Sequence, residues 1–227
     1  MQFEYTKNIA DFEKKVVVHH RKEWYSALKN VSELHSYVGA PLSNIIKGRP
    51  TFVWIITYVS ELFEAAYDYG SEHLPPEAVD EVIHYEQEGK LCVYLSVLTY
   101  ALISYNQIAD GKEMKYVQGY YRHKADAVDW ISGLLGNEHL GNHAWITIGK
   151  AVIDISIKQE ERFFRFNCYP VILGEVPPGM TFKGFPELKK TVNKYVEQMA
   201  KRRNLSVPDW ISQHNTHMVE LSKKKTL

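Results

Sequence analysis

Cysteine is scarce in this chain: Cys92 and Cys168 are the two among 227 residues. Two thiols cannot build a disulfide framework, so both are expected to be free. Excess charge is absent too. Lys plus Arg total 27 and Asp plus Glu total 27, which removes the global electrostatic case for nucleic acid or an anionic membrane as partner. The three lysines of the closing "SKKKTL" read as a solvated terminus. Long apolar runs are missing. The stretch "FVWIITYV" after Thr51 meets Ser60 and Glu61 after eight residues, whereas a spanning helix needs roughly 20. The opening "MQFEYTKNIADFEKK" carries acidic residues and no apolar core, unlike a secretory signal. Internal repeats and low-complexity segments are lacking. These absences point to a soluble, cytoplasmic protein. With 45% hydrophobic residues it has material for a substantial core.

The segments present divide by character. Residues 7–37 read as a helix, with Ile9, Phe12, Val16, Trp24, Leu28, Val31 and Leu34 near helical spacing. Breaks follow at "GAPLSN" and "KGRP". Helices are expected over 51–70, from the prolines of "LPPEAVDEVIHYEQEG" to about Gln87, and over the strongly apolar 89–111. Residues 115–121, "KYVQGYY", are β-branched and aromatic and read as a strand. A short helix is expected in "DAVDWISGLLG" and a strand over 161–173. Residues 186–204 read as an amphipathic helix, and a last helix follows. Helices, then strands, then helices define an α+β class. One domain over 1–227 is expected. It has a helical N-terminal portion (1–85), a core (86–175) and C-terminal helices (176–227).

Within the strand block, "NHAWITIGKAVIDIS" (142–156) reads as a hairpin turning at Gly149-Lys150, with glycine at the first central position. That turn sets Ile148 opposite Ala151, Thr147 opposite Val152 and Ile146 opposite Ile153. Alternation then puts Ala144, Ile146, Ile148, Ala151, Ile153 and Ile155 on one wholly apolar face. His143, Trp145, Thr147, Val152, Asp154 and Ser156 take the other. A slip of one residue would mix the two sets, so the pattern fixes the register. His143 and Asp154 become diagonal neighbours, about 7 Å apart at Cβ or closer, within reach of a hydrogen bond. A polar outer face would explain such a pair blandly; the large aromatic Trp145 beside it suggests a covered cleft instead.

A histidine oriented by a carboxylate invites a nucleophile. Cys92 follows Gly89 at the start of the apolar helix, where backbone N–H groups favour a thiolate. Taken alone, a cysteine in a buried helix is more often a small hydrophobe. Cys168, with no helix start before it, reads as structural. Tyr94, Leu95, Val97, Leu98, Tyr100, Ala101 and Leu102 make the Cys92 helix central.

The ordered set "GKLCVYLSVLTYALI", "YVQGYY", "HAW" and "VID" resembles the transglutaminase-like cysteine fold, in which Cys, His and Asp occur in that order. The resemblance covers about residues 85–160. It implies a Cys-bearing central helix packed on an antiparallel sheet. It also implies Cys92 as nucleophile, His143 as base and then acid, and Asp154 as the orienter of His143. The implied chemistry is acyl transfer through a thioester resolved by water or an amine, with no metal and no cofactor. The backbone N–H of Cys92 and the side chain of Gln87 are candidate oxyanion donors. Trp145, Tyr120 and Tyr121 are candidate cleft residues, and Ser96 lies one turn after Cys92, under the site or in the core.

Hydrolysis of an amide in a peptide or protein substrate is the first expectation, because water is abundant. A glutamine deamidase or transglutaminase is the alternative, and a non-catalytic interaction module on the same fold is the third. A metal site from His139, His143 and Asp154 is disfavoured, because "HLGNH" holds Gly and Asn where a helical His pair needs helix formers.

Overall fold

The computed structural model describes residues 35–42, 49–67, 72–109, 111–123, 141–162 and 170–225. Residues from Ser36 onward belong to one compact unit. Five α-helices occur among the described residues: α1 (Pro50–Ala65), α2 (Pro76–Gln87), α3 (Leu91–Tyr105), α4 (Lys189–Arg202) and α5 (Val207–Lys225). The strands are β1 (His35–Tyr37), β2 (Met114–His123), β3 (Gly141–Ile148), β4 (Ala151–Asp154), β5 (Ile172–Gly174) and β6 (Met180–Pro186). They form one sheet in the order β1-β6-β2-β3-β4-β5, and β2–β3, β2–β6, β3–β4 and β4–β5 pair antiparallel. The class is α+β.

Local chemistry explains the helices. α1 and α2 each begin on a proline, whose missing N–H costs nothing in a first turn. α1 buries Phe52, Ile55, Ile56, Val59, Leu62 and Phe63 along one stripe. α3 follows a turn in which Gly89 takes a φ of +67°, a region that glycine enters without steric cost. It is buried on nearly every side, from Leu91 and Cys92 to Ile103. It packs against β3 and β2 on one side and α1, α2, α4 and α5 on the others. Among the described residues, no helix is long and apolar enough to cross a membrane.

The sheet is buried on both faces. Ala144, Ile146, Ile148, Ala151, Ile153 and Ile155 join α3 in the main core. Val117, Trp145, Val152, Ile157, Ile172, Met180 and Phe182 form a second, smaller core on the opposite face.

Several sequence expectations need correction. His35–Tyr37 is a strand rather than the end of a helix, and the remainder of the expected 7–34 stretch lies outside the described residues. Of the expected strand 161–173, residues 161–162 end a short 3-10 helix, Ile157–Arg162, and Ile172–Gly174 is strand, while 163–169 lie outside the described residues. Cys168 and the expected helix in 126–136 lie outside the described residues. Residues 180–186, assigned to the C-terminal helices, are β6. "MTFKGFP" does alternate, burying Met180, Phe182 and Gly184 while Lys183 and Phe185 are exposed. Prolines and glycines on both sides of so short a run mask the pattern.

Gly184 of β6 decides how closely β2 and the Trp145 ring can approach. A Cβ there would fall 2.6 Å from the Gln118 carbonyl oxygen and 2.9 Å from Trp145 Cη2. Gly184→Ala is therefore expected to destabilise the protein by about 1–3 kcal/mol, the usual cost of overpacking. Urea unfolding measures this, and an unchanged midpoint would contradict the packing described.

Candidate active site

The β3–β4 hairpin has the register the sequence dictates. Ile146 pairs with Ile153, Thr147 with Val152 and Ile148 with Ala151, around a turn in which Gly149 has a φ of +58°. Asp154 stands one residue past the last pair. The apolar face is sealed against α3, so His143, Trp145 and Asp154 are driven to the opposite face together.

There His143 Nε2–H donates to Asp154 Oδ2 at 2.7 Å. The other carboxylate oxygen, Oδ1, accepts from the backbone N–H of Ser156 at 3.0 Å and from its hydroxyl at 3.2 Å. Asp154 thus has one oxygen fixed by its own turn and one left for the imidazole. His143 and Asp154 are 1% and 0% exposed, which makes the bond strongly felt in a low dielectric. Trp145 lies nearly parallel to the imidazole, with ring centroids 6.3 Å apart, and Phe182 meets it edge-on.

Cys92 is the second residue of α3 and almost buried. One turn along, Ser96 Oγ–H donates to the Ala144 carbonyl at 3.0 Å, which staples α3 to the strand residue next to His143. The Cys92 sulfur, on the same helix, lies close enough to act on the imidazole. Burial alone would drive the proton off His143, and it is the largest single influence. The Asp154 carboxylate, through charge and hydrogen bond, and the Cys92 sulfur together outweigh it. The result is a His143 pKa held well above its ordinary 6.5.

With Nε2 committed to Asp154, chemistry at the ring passes to Nδ1. The carboxamide of Gln159, on the short 3-10 helix, stands 3.2 Å from that atom and is 8% exposed. A carboxamide can offer an N–H to neutral imidazole or a C=O to imidazolium. A second polar group neighbours the thiol from β2. Burial pushes the Tyr116 phenol far up, a hydrogen bond from Gln118 partly offsets this, and the charge of Cys92 also reaches it. Gln118 Nε2 donates to the hydroxyls of Tyr116 at 2.8 Å and Tyr195 at 3.2 Å.

The geometry brings together Cys92, His143, Asp154 and Ser96, but it does not bring in Gln87. That residue is the exposed last residue of α2, separated from Cys92 by the Glu88-Gly89-Lys90 turn. Trp145 lines no cleft. It is fully buried in the second core, edge-on to Tyr37 at 5.5 Å and to Phe182 at 5.0 Å. Tyr120 and Tyr121 pair with Asn142 and Gly141, and their side chains lie outside the described residues. So does His139; among the described residues no cluster of three or more His, Cys, Asp or Glu could hold a metal ion. Sequence reading missed Gln159 and Gln118. The carboxamide of Gln159 sits five residues after Asp154, between the expected hairpin and the expected strand 161–173, and carries no local signature. Sequence reading placed Ser156 on the same face but gave it no role; a serine two residues after an aspartate is the Asx-turn signal that marks its bond to Asp154. No family model, no curated protein and no solved structure matches the chain.

A raised histidine pKa stabilises the folded state below the unfolded value and loses that contribution as pH climbs through the folded value. Here the folded chain keeps a proton that the unfolded chain releases above about pH 6.5. The stability gap between wild type and Asp154→Asn is therefore expected to narrow as pH rises above that point. One proton limits the slope to about 1.4 kcal/mol per pH unit. Urea titrations at stepped pH measure the gap; a gap that widens with pH would contradict the assignment.

Proposed function

We propose that the protein is a cysteine-dependent acyl-transfer enzyme with a transglutaminase-like core, hydrolysing an amide bond of a peptide or protein. The observation that carries this reading is the 2.7 Å bond from His143 to Asp154 on an imidazole that also meets the Cys92 thiol. Supporting it are the chain order Cys, His, Asp and a Cys-bearing helix packed on an antiparallel sheet.

With the proton already on His143, the Cys92 thiolate attacks the amide carbonyl carbon, forming the C–S bond as the carbonyl π bond breaks to an oxyanion. The backbone N–H of Cys92 is a candidate donor to that oxygen. The oxyanion collapses, the C–N bond breaks, and His143 delivers the proton to the departing amine. A thioester remains. Water, giving a proton to His143, attacks the thioester; the C–S bond breaks and the acid leaves. Asp154 stays ionised and keeps the ring oriented throughout. A deamidase runs the same steps on a glutamine side chain, and a transglutaminase replaces the water with an amine. The water-resolved path stands first because the acceptor is always present. Peptide or protein is the partner class; the chemistry requires no cofactor.

Iodoacetamide labelling against pH tests the reading, with Cys168 as internal control. At about pH 6, Cys92 is expected to label roughly tenfold faster than Cys168, and His143→Ala to abolish that advantage. Slow, equal labelling of both thiols, unaffected by His143→Ala, would sink the proposal.

A further inference from the structure

A groove of about 510 Å³ opens between the first turn of α3 and one face of α4. One wall consists of Lys90, just before α3, and Val93 in its first turn, with Cys92 between them in the chain. Across it, Tyr195 and Met199 of α4 line the opposite wall, and Tyr85 contributes a further aromatic surface. The groove has a physical link to the thiol. Tyr195 meets the Tyr116 ring edge-on at 5.8 Å, and Gln118 binds both their hydroxyls. The Cys92 sulfur acts on Tyr116 as it does on His143.

The charges in this groove are unbalanced. Lys90, Lys201 and Arg202 supply three positive charges against one carboxylate, Glu88. Glu88 is already shared: Arg202 Nη2 donates to one of its oxygens at 2.8 Å and Lys90 Nζ to the other at 3.0 Å. Those bonds hold its carboxyl down to about 2, so it stays charged and committed. Arg202 is further ordered by lying 5.0 Å over the Tyr85 ring. Lys201 has no carboxylate partner among the described residues. An apolar and aromatic floor with surplus positive charge at its rim is complementary to one kind of occupant.

We propose that the groove is the substrate subsite beside Cys92 and that it takes a peptide segment in which an acidic side chain neighbours an aliphatic or aromatic one. The inference rests on the reading of Cys92 as nucleophile. The acidic side chain pairs with Lys201 at the rim, while its neighbour covers Val93 and Met199.

Two chloroacetyl-capped peptides, alike except for Glu or Lys next to a Phe, test it through the rate at which each alkylates Cys92. The Glu probe is expected to react about fivefold faster, the scale of one exposed ion pair. That preference should vanish or invert in Lys201→Glu and shrink toward unity in high salt for wild type. Lys223→Glu, on the last turn of α5 and outside the groove lining, should keep it. The salt series answers the question even if Lys201→Glu fails to fold. Equal rates for the two probes, alongside fast and His143-dependent iodoacetamide labelling, would overturn the subsite and leave the nucleophile standing. Slow, His143-independent iodoacetamide labelling would overturn both.

Discussion

The structure depends on one buried ion pair and the hairpin that forces it. Removing His143 and Asp154 from water is costly, and a bond of 2.7 Å recovers that cost only when the remaining polar atoms are also satisfied. Ser156 meets that need at Asp154 with two bonds to the free oxygen. The apolar face of the hairpin prevents escape. Rotating His143 toward solvent would require a register slip that exposes six Ala and Ile side chains now packed against α3. A pair held this firmly is expensive to retain for stability alone, since apolar residues of the same size often do as well. The proposed catalytic role gives it a purpose.

A second polar network sets the helix that carries the thiol. Glu81 of α2 is buried, and it accepts from the Trp210 indole N–H at 3.0 Å, from Arg203 at 3.0 Å and from His214 at 3.3 Å. The Tyr58 hydroxyl of α1 bonds the other ring nitrogen of His214 at 2.8 Å. One carboxylate therefore ties α2 to α5 and to the residue that ends α4, with α1 joined through His214. These four helices surround α3. The enclosure leaves α3 little freedom to slide, and the Ser96 staple sets its height against β3. The proposed pairing of Cys92 with His143, held to within a fraction of an ångström, demands this sort of support.

What could be read from the sequence followed the range of the interactions. The β3–β4 register, the two faces and the His143–Asp154 contact were legible, because a two-residue turn and a period of two determine them locally. The burial of α3 was legible from its unbroken apolar composition. β6 was not, since its identity comes from pairing with β2, more than 55 residues earlier in the chain. Trp145 was misread because residues beside an imidazole look the same in sequence whether they line a cleft or fill a core. Met180 and Phe182 of the unforeseen β6 are what close over that face. Gln87 was chosen for its nearness to Cys92 along the chain, whereas Gln159 and Gln118 reach the site through space. Spacing along a chain cannot rank such candidates.

Hairpin and helix set His143 between the Asp154 carboxylate and Cys92 and hold its pKa well above 6.5. Nitrogen-15 NMR of the histidine ring at about pH 7 measures this directly. Both ring nitrogens of His143 are expected to carry protons at that pH, with Nε2–H in the short bond to Asp154. A neutral ring bearing a single protonated nitrogen would contradict it.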